Sequence, residues 1–205
     1  MTKVSMMASP LILASGSTVR RKLMENAGLV FQVVPASVDE RVIEERMPAD
    51  QRDPVSIALH LAIAKAREVS ARMPEAVVVG CDQTMSLGSR IFHKAQTPED
   101  AKRTLEILRG QEHSLNSAIC LVRNGDVLWK HVDRAGMQMR QFSDLFLTGY
   151  VQRNGEALLS SVGCYQLEGE GIQLFDAIDG DYFTILGLPL LPLLSALRQC
   201  GVNHA

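Results

Sequence analysis

The chain has 205 residues, 46% of them hydrophobic and 21% charged, and carries a net charge of −2. Such a length fits one domain, at the usual ~100–200 residues per domain, and the near-balance of charge argues against a nucleic-acid partner, which calls for a basic excess. No apolar run approaches the ~20 residues that span a bilayer, so no membrane partner is expected.

In chain order, the amino end MTKVSMMASPLILAS holds one lysine and a small apolar patch. Arg20, Arg21 and Lys22 lie on the wrong side of that patch for a signal peptide, so this end is read as a mature first strand. Leu11 to Ala14 is a short buried strand that breaks at Ser15-Gly16-Ser17. Val19, Leu23, Met24 and Ala27 then recur at helical spacing, with Ser17 as N-cap and Gly28 just past the end. Phe31 to Val34 reads as a second strand and Ser37 to Pro48 as an acidic loop. Asp53 and Pro54 open a helix whose apolar stripe leaves Lys65 near one edge.

Ala76 to Val79 is a buried strand, with Gly80, Cys81 and Asp82 at its end and a hairpin around Leu87-Gly88-Ser89 beyond. Thr97 to Asp100 starts a helix that Gly110 ends. Ser117 to Val122 and Val127 to His131 form a hairpin through Arg123-Asn124-Gly125-Asp126, and Gly136 to Phe142 adds a strand. Ser143 caps a helix to about Arg153, and an apolar, proline-interrupted helix runs from Gly187 to Gly201. Strands alternating with helices specify a mixed α/β sheet covered by helices, in one domain over residues 1–205. Cys81, Cys120, Cys164 and Cys200 show no CxxC pairing, which points to free thiols in a reducing cytoplasm.

Three segments carry candidate chemistry. At Ser15 to Arg21 a strand runs into a small-residue turn and a helix start, where free N–H groups and the helix dipole favour an anion. Two hydroxyls and two arginines suit phosphate oxygens there; a plain capped helix with solvated arginines fits the same residues. Asp39, Glu40, Asp82, Lys65 and Lys94 lie in or beside the structured segments, and strand ends are where α/β proteins place ligands. A metal-dependent phosphoryl reaction needs such oxygen ligands, cations and a group that orients water, but no internal spacing brings these residues together. Ser160 to Gly171 holds three glycines with interleaved polar residues, either a backbone that approaches a ligand or an ordinary turn. His93 and His113 have no metal-ligand spacing and read as structural.

Taken in order, LILASGSTVRRKLMENAGL (11–29), VDE (38–40), Lys65-Ala66, GCDQT (80–84), the lysine of FHKA (92–95), LRGQEHS (108–114), YQLEGEG (165–171) and GDYFTILGLPL (180–190) resemble the motifs of the Maf family of nucleoside triphosphate pyrophosphatases. The resemblance covers nearly the whole chain. It implies an elongated mixed sheet of the Maf and inosine triphosphate pyrophosphatase type, flanked by helices, with a cleft between two lobes. It implies hydrolysis of a nucleoside triphosphate to the monophosphate and pyrophosphate, a divalent cation (Mg2+ or Mn2+) and, at family level, a homodimer. Residue by residue, Ser15 and Arg20 match the phosphate-binding serine and second arginine of the opening motif. Glu40 matches the acid after the second strand, Lys65 the helix lysine, and Lys94 the lysine after the hairpin. Asp82 matches the acid assigned as proton acceptor; whether it is the base or, with Glu40, a metal ligand stays open.

The sequence departs from the family pattern at informative places. Thr18 and Val19 stand where the family has proline and its first arginine, Ala95 where it has proline, and Ser160-Ser161 where it has an Asp-Lys pair. Gln83 replaces a threonine and Glu168 a glutamine. Val19, Gln83 and Glu168 match the positions at which the family separates base preferences, and the last two resemble the 7-methylguanosine triphosphate branch rather than the thymidine and uridine triphosphate branch. A carboxylate at Glu168 suits a guanine edge that offers N1–H and N2–H donors. Val19 departs from that branch too, where a tryptophan could stack on a cationic base. The expected protein is a cytoplasmic house-cleaning pyrophosphatase acting on such a modified purine. The alternatives are a pyrimidine triphosphate pyrophosphatase of the same family, or a nucleotide-binding regulator of septum formation with weak catalysis.

Overall fold

A computed structural model describes residues 9–202 of the chain; residues 1–8 of the expected mature first strand lie outside the described residues. β1 (Leu11–Leu13) is wholly buried and leads into α1 (Thr18–Asn26), whose N-cap is Ser17 as expected. β2 (Gln32–Val33) follows, parallel to β1. The expected acidic loop is instead a helix in its middle, α2 (Glu40–Arg46), capped by Asp39 through the Val42 N–H. None of its residues is buried, so no apolar stripe announced it. α3 (Pro54–Arg72), capped by Asp53, crosses over to β3 (Val77–Leu87), which runs parallel to β1.

β3 does not end at Val79 as its apolar run implied. It continues through Asp82 and Gln83 to a hairpin with β4 (Arg90–Phe92). α4 (Pro98–Leu108) precedes β5 (Glu112–Arg123), which is longer than the expected strand. β6 (Asp126–Met139) is a single strand where two were expected, because its polar middle stays on the antiparallel ladder with β5. α5 (Asp144–Asn154) leads through 3-10 turns to β7 (Phe175–Asp179), an edge strand without the alternation that would have revealed it. α6 (Tyr182–Ile185) is a separate short helix, and α7 (Leu190–Gln199) begins only after Pro189.

Among the described residues the sheet runs β2-β1-β3-β5-β6-β7, with β4 paired to β3 beyond the end of β1. Alternation along the strands builds a core on each face. Leu13, Val77, Val79 and Cys81 pack with Met24 of α1 and Leu193 of α7, while Ile12, Val78 and Cys120 pack with Ala58, Ala62 and Ala66 of α3. A further core around Met85, Leu115 and Met137 receives α4 and α5 at the other end of the long strands. Between these cores the central strands carry buried Asp82, Thr84, Asn116 and Ser117. β1 pairs only as far as Val79, and β4 begins opposite Met85. Residues 80–84 therefore pair with β5 alone and leave their other edge open. All four cysteines are free, and burial pushes the Cys120 thiol up to about 12, which leaves it unreactive.

Candidate active site

A cleft of about 820 Å³ lies along the open edge of β3. Ser15, Val19, Arg20, Glu40, Lys65, Asp82, Gln83, Lys94 and Glu168, widely separated in sequence, all line it. The convergence that spacing could not supply is thus made by the fold.

The arm nearest α1 is a cationic corner. Ser17 accepts the Arg20 N–H as N-cap, and the Thr18 and Val19 N–H groups of the first turn have no intrahelical acceptor. The Arg20 guanidinium is held by three oxygens: Nε donates to Gly187 O at 2.8 Å, and Nη1 to Ser15 Oγ at 3.4 Å and Cys81 O at 3.3 Å. Gly187 has φ +86°, and a Cβ there would lie 3.1 Å from Arg20 Nη2, so a larger residue would disturb both the turn and the arginine.

Asp82, 7% exposed, points to the α3 face of the sheet. Lys65 Nζ lies 2.5 Å from Asp82 Oδ1 and 2.6 Å from Glu40 Oε1, bridging a buried carboxylate and a half-exposed one. The reach is set by Gly80, where a Cβ would stand 2.2 Å from Ala62 O and 2.6 Å from Ala66 Cβ. Only glycine lets α3 lie that close to β3, and Lys65 sits between those two alanines. Burial disfavours the Lys65 ammonium, yet Asp82 and Glu40 outweigh it and raise its pKa above the ordinary lysine value. Burial pushes the Asp82 carboxyl up, and the opposing pull of Lys65 and Arg20 does not cancel it.

Gln83, the next residue, points to the opposite face. Its Nε2 donates to Ser117 Oγ at 2.8 Å and to the Thr184 and Ile185 carbonyls at 3.1 Å each. Val19 is half-buried, whereas Lys94 and Glu168 are exposed on the cleft wall. Ser160 and Ser161 also line the cleft and serve its wall: Ser160 Oγ donates to Ala157 O, and Ser161 Oγ bonds both the N–H and the carbonyl of Tyr165.

Sequence reasoning missed several lining residues. His93, read as structural, is exposed and lines the cleft, near Glu44, whose carboxyl burial raises. His113 is structural as expected, 1% exposed in the core. Thr84 donates to Pro54 O at 2.8 Å and ties the strand to the start of α3. It closes the GCDQT stretch of the family resemblance, but nothing in the sequence assigned it a role.

Among the described residues no cluster of three or more His, Cys, Asp or Glu side chains could cage a metal ion. A Mg2+-type site needs less, since that ion binds through one or two carboxylates and completes its shell with substrate phosphates and water. Glu40 and Asp82 meet at one ammonium, and each keeps an oxygen beyond the one facing Lys65. This donor set fits a divalent cation that arrives with a polyphosphate.

A mixed α/β sheet with a polar, cation-rich cleft at the open edge of β3 defines an α/β protein whose cleft has the charge to suit a phosphorylated ligand beside a buried carboxylate. More particularly, residues 10–200 match the Maf-like protein family, and the chain belongs to it. It is 56% identical over 195 residues to the 7-methyl-GTP pyrophosphatase of Rhizobium etli, covering 95% of this chain and 98% of that protein. Identity to the protein of the same name in Brucella abortus is 51% over 193 residues, covering 94% of this chain and 97% of that one. The nucleoside triphosphate pyrophosphatase of Granulibacter bethesdensis is 47% identical over 189 residues, covering 92% and 96%. A HAM1 protein from Coxiella burnetii aligns with 63% of this chain and 72% of its own at a TM-score of 0.41 and 15% identity, too remote to bear on the site.

Proposed function

We propose that the chain is a nucleoside triphosphate pyrophosphatase that prefers a 7-methylguanosine triphosphate-like substrate and releases the monophosphate and pyrophosphate. The observation that carries the reading is the cleft in which buried Asp82, bridged by Lys65 to Glu40, faces the Arg20 corner. The names of relatives at 51–56% identity support the same reaction and the same base.

Water attacks the α-phosphorus in line, an O–P bond forms, and the α–β anhydride bond breaks as pyrophosphate leaves. Asp82 accepts the proton of the attacking water, a role suited to a carboxylate whose pKa burial has raised. Lys65 orients that carboxylate, and Arg20 with Lys94 offsets charge building on the transferred and leaving oxygens. Glu40 would hold a divalent cation, which when bound neutralises phosphate charge, and this leaves the outer oxygen of Asp82 to take the proton. Glu168 and Gln83 select the base, and residues 1–205 act as one domain.

The test is pyrophosphate release from 7-methyl-GTP, GTP, UTP and dTTP, each with Mg2+, with Mn2+ and without metal. The guanine nucleotides should turn over fastest and only with metal. Asp82→Asn should fold normally and lose roughly 10²–10⁴-fold in rate. A near-normal rate in that variant sinks the role of Asp82, and release from pyrimidine nucleotides alone refutes the base preference.

A further inference from the structure

The Gln83 side chain is an amide whose orientation is dictated by its surroundings. The Thr184 and Ile185 carbonyls, each 3.1 Å from Nε2, can only accept hydrogen bonds, so the group facing them must be the NH2. Ser117, directly opposite Gln83 on β5, has its own hydroxyl polarity fixed as well. Its Oγ donates to Thr184 O at 2.7 Å, so towards Gln83 it offers lone pairs. Ser117 is fully buried, and no water competes for that arrangement.

The two carbonyls belong to the last turn of α6, and Thr184 O also accepts the Gly187 N–H at 3.0 Å. α6 is itself held in place. Asp181 caps its start through the Phe183 and Thr184 N–H groups, and the Thr184 hydroxyl reaches Asp133 of β6 at 3.4 Å. With both amide hydrogens directed at this acceptor cluster, Oε1 lies on the other side of Cδ. It has no protein partner among the described residues, while Gln83 lines the cleft.

We infer that Ser117 and the carbonyl end of α6 form a polarity lock on Gln83, so that the cleft presents an acceptor at this position and never a donor. Ser117 is thereby a positioning residue for substrate choice, acting only through Gln83. An acceptor here matches a base edge carrying N–H groups, as a keto-purine does, and opposes the carbonyl of a pyrimidine. This rests on the base preference proposed above and adds the device that enforces it.

The experiment is a double-mutant cycle read as the ratio of kcat/KM for 7-methyl-GTP over UTP. Ser117→Ala should lower that ratio roughly tenfold, the size of one neutral hydrogen bond lost from the lock, chiefly through KM for the guanine nucleotide. In a Gln83→Ala background the same Ser117 substitution should leave the ratio unmoved. An unchanged ratio in the single variant, or an equal effect in both backgrounds, overturns the lock. A wild-type enzyme that prefers UTP instead defeats the base preference itself. A second measurement needs no variant. In the 15N spectrum of the wild type, the Gln83 NH2 protons should exchange slowly both before and after 7-methyl-GMP is added; an NH2 pair that exchanges freely with water in either state overturns the proposal.

Discussion

At Asp82 three influences compete: burial, two neighbouring cations and a nearby carboxylate. Burial is the largest and leaves the carboxyl above its ordinary value, while Lys65 and Arg20 pull it down. If Asp82 accepts the water's proton, activity requires its ionised form and falls as pH drops through its pKa. Lys65 favours the ionised form, so Lys65→Met should move the acid limb of kcat/KM to higher pH, with a lower plateau besides. Arg20→Gln should move it in the same direction by less. A pH–rate profile measured on both variants checks this, and a limb displaced to lower pH contradicts the assignment. Little of this arrangement was legible locally. Lys65 and Asp82 stand 17 residues apart on different elements, and no periodicity links them. Local reading named both as candidates, but only the family resemblance put them in one site. The Gln83 lock was invisible for the same reason, since its partners Thr184 and Ile185 lie about a hundred residues downstream.

Elements were legible in proportion to how well apolar pattern and pairing coincide. α1, α3 and α5 have their expected caps in Ser17, Asp53 and Ser143 because an oxygen-bearing cap marks a helix start directly. β3 was cut short because its central residues are polar and still buried, the combination that a hydrophobic run cannot show. α2 escaped for want of a buried face, and β7 because its residues are largely exposed at the sheet edge. The seam between β3 and α3 yields a prediction at this scale. Gly80→Ala places a methyl group against Ala62 O, a backbone atom that cannot rotate away. Such overpacking should cost about 1–3 kcal/mol, read as a lower urea midpoint with an unchanged slope. α3 must retreat from β3, so Lys65 should withdraw from Asp82 and activity should fall more than stability does. Full activity in a destabilised variant would show that the seam does not set the ion pair.

Across the whole molecule, the site occupies a polar belt between the core under α1, α3 and α7 and the core under α4 and α5. The second of these contains a titratable group, His113, whose Nε2 lies 2.8 Å from the Tyr165 hydroxyl and whose Nδ1 has no partner. Burial lowers its pKa from 6.5 to about 4, so the folded protein keeps it neutral while the unfolded chain takes up a proton near pH 6.5. A depressed folded pKa means stability that is fully present above pH 6.5 and lost as pH falls towards 4. The loss is roughly 3 kcal/mol at one unit per 1.36 kcal/mol. His113→Phe should therefore be the less stable protein at pH 7, by about 1–2 kcal/mol for the stranded Tyr165 hydroxyl. Between pH 6.5 and 4 its stability should decline less steeply, so the deficit shrinks or reverses in acid. Urea unfolding of both proteins at pH 7, 5.5 and 4.5 measures the two slopes. Parallel slopes would move the acid sensitivity to other groups, whereas converging ones would place it at His113, beside the tyrosine that lines the cleft.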